Sequence, residues 1–543
     1  MKKIIAFISI LLLFPTFVLV GATHLGKPRL VVFIVVDGLK TEHIHTLWND
    51  LNKGGFKRLY EQGAVCNHAY YPIMSTGLAP DFATLATGST PFYHGIVGDS
   101  FYNRVTDGLQ PCLQDDNYNG IGTADALSLQ PLLASTCSDE LKMNTGGKSK
   151  IFSIGIHAPE TMLLAGHAAD GAVWVNRETA NLATSTFFPL GLPRWADQAN
   201  VDHWVENGIK QEWRPLYNIT SYFFPANHPD AAHGFDYFNN GSSMSQIMAT
   251  YKTSPFVNTL VKDLAIKAMT DEKMGQDDYP DFLGLEFSVE VGGDPSSELS
   301  SAEKEDMYLR LDNDLADLIN HIDSYVGLSH TVIVLTGTQG EPHQQKTLEK
   351  YNIPTGQFVP VRSMALLNLY LMALYGQHQW VLGCHDKNIY LDHAYIEQKG
   401  ISLQQIQEKT AHFMLELQGV QTALTASEIM ASDGSGLDEA SRMKNSFNKH
   451  RSGDVVFTLM PGWVETNNNG KVLSIDNNRH SYVPMVFFGD GIEPQTLSNI
   501  AVTDIAPTIS SLLQTQFPNA NIGTPIPLLT KPDESISPPR RDK

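Results

Sequence analysis

Cysteine is scarce in this chain, positive charge is outnumbered, and the usual hydrolase and nucleotide motifs are missing. Only four cysteines occur in 543 residues, Cys66, Cys112, Cys137 and Cys384, and none forms a CxxC pair. A zinc knuckle is therefore excluded, while disulfides in an exported chain stay open in any of three pairings. Lys and Arg total 38 against 58 Asp and Glu, a net charge of −20. Such a chain offers no basic footprint for a nucleic-acid backbone, so nucleic acid is not an expected partner. No HExxH, GxSxG or Walker A segment occurs, nor a GxGxxG following a strand. Mechanisms that need those geometries find no support.

One long apolar run does occur, at the amino terminus. MKK is followed by IIAFISILLLFPTFVLV and then Gly21-Ala22. A basic start, an apolar stretch interrupted by Pro15 and a small-residue exit read as a secretory signal peptide over 1–22. The expected location is periplasmic or extracellular, with no stable membrane span after cleavage. The tail 529–543 is polar and proline-rich and reads as disordered.

Between these ends, LVVFIVVDG (30–38), DFLGLEFSV (281–289), TVIVLTG (331–337), VVFTLM (455–460) and PMVFFGDG (484–491) are apolar and β-branched. They read as buried strands of a parallel sheet. Leu311, Leu315, Leu318 and Ile322 recur at helical spacing between two of these strands, which predicts a right-handed crossover. The expectation is an α/β fold over 27–528, with insertions at about 176–250 and 395–450.

Four segments carry a family resemblance: VVDGLKTEHI (35–44), LATGSTPFYHGIVGDSFYN (85–103), AGHAADGAVWVN (165–176) and VTDIAPTISSLL (502–513). With the stretches between them they resemble the alkaline phosphatase superfamily. The likeness is to its single-domain bacterial phosphomonoesterases, related to type I phosphodiesterases/nucleotide pyrophosphatases. It implies a three-layer sandwich around a mainly parallel sheet. It also implies two zinc ions held by six Asp and His side chains, a Thr or Ser nucleophile at a helix start, and an Asn with a Lys-x-Arg clamp on the phosphoryl group.

Carried over by position, only Asp37 matches a metal ligand by identity. Glu290 and Asp294 fall near the next two, Thr338 and Gln339 replace an Asp-His pair, and Tyr482 replaces the last histidine. Neutral hydroxyl and amide groups are weak zinc ligands, and catalytic zinc takes about three thiolate, imidazole or carboxylate donors. Two zinc ions are therefore not expected to be retained, though Asp37, Glu290 and Asp294 leave room for one divalent cation. Counting from Pro72 puts Ser75 at the nucleophile, with Thr76 beside it; counting back from Thr87-Gly88 reaches Leu78. Asp99 replaces the asparagine, and His157 and Pro159 replace the clamp. The reading is a secreted, catalytically degenerate member with a binding role toward an unidentified ligand or protein. Its alternative is an active metal-dependent hydrolase of phosphate mono- or diesters with an altered site.

Overall fold

The computed structural model describes residues 27–74, 77–224, 235, 243–291, 301–339, 345–470, 472–475 and 482–528. The predicted signal peptide, Ser75, Thr76, Asp294 and the predicted disordered tail lie outside them.

Alternation along the first strand builds the two faces of the molecule. Leu30, Val32, Ile34 and Val36 enter one apolar core and Val31, Phe33 and Val35 enter another. Successive strand side chains point to opposite faces, so a strand apolar at every position belongs between two covering layers. Each such buried side chain contributes about 1.5–3 kcal/mol. Leu30–Asp37 lies at the centre of a ten-stranded sheet, parallel to Asp281–Ser288 on one side and to Thr331–Gly337 on the other. Ile151–Gly155 and Gly171–Val175 extend the parallel part. The sheet is thus mixed but mainly parallel, as expected.

The crossover helix spans Ala302–Tyr325, and Leu311, Leu315, Leu318 and Ile322 are fully buried on it. It carries the chain from Asp281–Ser288 over the first strand to Thr331–Gly337. Asp312, on the same helix, is buried too. Its carboxylate accepts the backbone N–H of Phe56, a donor at the start of the Phe56–Gln62 helix that would otherwise be unmet, and that of Asn52 in the loop before it.

Two of the five apolar runs behave differently from expectation. Val455–Leu459 is not in the central sheet: it runs antiparallel to Val420–Thr425 and Asn388–Leu391 in a separate four-stranded sheet. Its apolar character comes from a third core around Phe358, Trp380, Leu391 and Phe457. A short apolar run looks the same whichever core buries it. Tyr482–Gly489 does join the central sheet, but antiparallel to both neighbours. The 176–250 segment includes helices Arg194–Val201 and Trp204–Ile209 and most of Met244–Lys252, and its Trp195 and Trp213 plug into the first core together with Tyr251 just beyond it.

All four cysteines are free. No helix among the described residues is long and apolar enough to cross a membrane.

Candidate active site

Strand register decides which side chains meet. Asp37 is level with Ser288, and Val36 with Gly337, so the turns after three parallel strands open at one edge. Ile151–Gly155 ends beside them, delivering His157. Side chains over the carboxyl edge of a parallel sheet form the usual site of such folds. The sequence placed Asp37, Glu290, Thr338, Gln339 and His157 here.

Asp37 and Thr338 are hydrogen-bonded: the Thr338 hydroxyl donates to Asp37 Oδ1 at 2.7 Å and accepts from the Gly38 N–H at 3.2 Å. Burial, then the neighbouring Glu290 charge, push the Asp37 carboxyl up to about 7. Gly38 has φ +75°, and a Cβ there would strike the Glu290 carboxylate at 1.9 Å. Glycine is needed for that close approach. Glu290 itself is tied to Lys304 at 2.8 Å, with Lys304 almost fully buried. Burial alone would raise the Glu290 pKa, but Lys304, joined by Lys40 and His43, outweighs it and the net shift is downward. The ammonium group supplies the positive charge that this carboxylate faces.

Gln339 turns to a different partner. Its backbone N–H and its side-chain amide donate to the two oxygens of Asp81, both at 2.8 Å. Asp81 is 1% exposed, and burial pushes its carboxyl up to about 7. Thr338 and Gln339, adjacent in sequence, thus each serve a different aspartate of the protein.

The nucleophile segment resolves at its helix. That helix spans Leu78–Thr87 with Gly77 at its N-cap, and the candidate nucleophiles Ser75 and Thr76, just before it, lie outside the described residues. Asp99 Oδ1 accepts the Ala79 N–H at 2.9 Å. Gly77, the N-cap residue, has φ +129°, and a Cβ there would meet Asp99 Oδ1 at 2.4 Å. A helix start is a natural anion site, with unsatisfied N–H groups and the positive end of the macrodipole. Here a carboxylate of the protein takes part of that place. Asp99 opens onto a cleft but is enclosed on its other sides, and that burial raises its pKa.

His157 lines the same cleft of about 920 Å³, with Leu78, Asp99 and Glu160. Its Nδ1 lies 2.7 Å from Glu286 Oε1. Burial opposes its protonation, but the Glu286 charge outweighs that and its pKa rises. Tyr482 is more than half exposed and stands edge-on to His68. Asp392 and His393, beside the four-stranded sheet, are ligand-type residues paired to His378 and Asp454 at 2.8 and 2.6 Å.

Sequence reasoning missed Asp81, Lys304, Glu160 and Glu286. Glu286 had a signal: an acidic residue inside the apolar strand LGLEFS. Asp81 and Lys304 had none, because each sits early in an ordinary helix.

Among the described residues, the side chains at this edge do not fit a pair of zinc ions. Two of the replacing side chains are neutral and internally bonded, Glu290 is neutralised by Lys304, and Tyr482 is a phenol at the surface. Even so, the sheet, the strand-end aspartate and the helix over the edge define an open α/β fold with its candidate site at the carboxyl edge of the sheet.

Comparison with known proteins places it more closely. Residues 31–483 match the type I phosphodiesterase / nucleotide pyrophosphatase family, and the chain belongs to that family. It is 29% identical to alkaline phosphatase PafA of Elizabethkingia meningoseptica over 518 residues, covering 92% of this chain and 94% of the relative. It is also 29% identical over 534 residues to a Myroides odoratus protein named a calcium-transporting ATPase, covering 94% and 96%. The crystal structure of wild-type alkaline phosphatase PafA superposes with a TM-score of 0.81 at 26% identity, covering 93% of this chain and 99% of that one.

Proposed function

We propose that this chain is a non-hydrolytic member of its family, exported from the cytoplasm, that uses its cleft to bind a ligand. One observation carries the reading. The two positions that should offer an aspartate and a histidine to a metal instead give a hydroxyl to Asp37 and an amide to Asp81. Phosphate-monoester hydrolysis is among the slowest uncatalysed reactions, and an enzyme removes on the order of 20 kcal/mol or more of its barrier. The family's route relies on paired metals and positive groups that neutralise charge developing at phosphorus. At this edge Lys304 faces Glu290, and Asp99 adds negative charge at the helix start.

A second reading, an active phosphate-ester hydrolase, is favoured by the near full-length similarity to a protein named alkaline phosphatase. It would draw its nucleophile from Ser75 or Thr76. Turnover of aryl phosphate mono- and diesters with added zinc separates the two. The first reading expects no turnover above buffer; turnover abolished by Ser75→Ala or Thr76→Ala establishes the second.

A further inference from the structure

A second set of ligand-type side chains, around His157, faces the cleft and is not used by the proposed function. We propose that His157, Glu160 and Glu286 form a mononuclear zinc site, separate from the strand-end position of Asp37 and Glu290. One ring nitrogen of His157 and one carboxylate oxygen from each glutamate lie within 4.8 Å of one another. Local structure brings them together. His157 is the N-cap residue of the Ala158–Ala165 helix, Glu160 lies in its first turn, and Glu286 comes from the adjacent parallel strand.

The independent sign of a ligand is Glu160. It is 4% exposed, it lines the cleft, and its Oε2 has no hydrogen-bond partner. A buried carboxylate oxygen without a partner is costly, and a cation satisfies it. Glu286 is held firmly. Its Oε2 accepts the N–H groups of Ile156 and His157 at 2.8 and 2.9 Å and the Thr161 hydroxyl at 3.2 Å, while Oε1 meets His157 Nδ1. Lys252, 9% exposed and close enough for both glutamates to act on its charge, is the competing cation.

One imidazole and two carboxylates match the three-ligand sets of open zinc sites, which keep a fourth position for water or a ligand. Donors on a tetrahedral ion with bonds of about 2 Å stand roughly 3.3 Å apart. The group therefore closes by an ångström or so, within the rotamer freedom of Glu160. The open position would face the cleft, which Trp174 and Arg177 also line. The site would thus take a ligand with a donor atom of its own.

The test uses the full mature chain, stripped with chelator, reloaded with zinc and dialysed, then analysed for metal. The expected result is one equivalent retained by wild type and by Asp37→Asn, and less than a tenth of an equivalent by Glu160→Gln and His157→Gln. Melting of the stripped proteins guards against misfolding, and His157, at the cleft surface, is the safer of the two variants. Cobalt loaded in place of zinc should give visible d–d absorption that both variants lose. No retained metal in wild type, or an equivalent surviving in folded Glu160→Gln, overturns the site. Metal lost in Asp37→Asn but kept in Glu160→Gln and His157→Gln overturns it too and puts the ion at the strand-end position, while the non-hydrolytic reading stands or falls separately on phosphate-ester turnover.

Discussion

At the scale of single residues, the strand-end site is a set of charges answered from within. Asp37 is answered by Thr338, Asp81 by Gln339 and Glu290 by Lys304. Removing one partner exposes what it compensated. Lys304→Met removes the ammonium bonded to Glu290, with only the more distant charge of Lys40 remaining, and loss of a partly buried pair of this kind should cost about 2 kcal/mol, between the exposed and buried limits. Urea unfolding at pH 7.5 measures it, and no change in midpoint would mean that Glu290 does not depend on Lys304. The pH dependence has a defined sign. Asp37 and Asp81 rise from 3.8 to about 7, and Glu160 from 4.5 to about 8. The folded state therefore holds protons that the unfolded chain releases at lower pH. Their stabilisation is complete below the unfolded values and is lost as pH climbs through the folded ones. The melting temperature should fall between about pH 5 and pH 8, and fall less in Asp81→Asn; an equal fall in both would remove Asp81 from the account. Reading these residues from the sequence reached Asp37, Glu290 and the blank at Thr338–Gln339. It could not reach Asp81 or Lys304, whose roles come only from what the fold sets against them.

At the scale of elements, the decisive piece is the helix Leu78–Thr87. Its start is shared by Leu78, by Gly77 in a backbone conformation open to glycine, and by the Asp99 carboxylate. Gly77→Ala should destabilise by roughly 1–3 kcal/mol, from the left-handed φ and the collision with Asp99. The collision part should vanish in an Asp99→Ala background. A double-mutant cycle from denaturant curves tests this, and additivity of the two substitutions would deny the close approach. The first strand, the crossover helix and the strand before Thr338 were legible because periodicity and burial agree there. Val455–Leu459 was misplaced because an apolar run of five or six residues states that it is buried, not in which core.

At the scale of the whole molecule, two cores sandwich the main sheet and a third belongs to the outer unit carrying the four-stranded sheet. A unit with its own core can open on its own. Phe457→Ala should shift an early unfolding transition, followed by amide exchange of Asn388–Leu391 and Val420–Thr425, and leave the later loss of the central sheet in place; a single coincident transition would make the chain one cooperative body. Family membership was legible as an ordered series of segments across the chain. Function was not, because the same sheet edge serves a metal pair or a set of internal bonds according to a handful of side chains. The central claim, that these bonds have replaced hydrolytic chemistry, is tested most directly by aryl phosphate turnover at saturating zinc, wild type against Asp37→Asn. The account predicts rates indistinguishable from buffer in both. Zinc-dependent turnover in wild type that disappears in Asp37→Asn would contradict it.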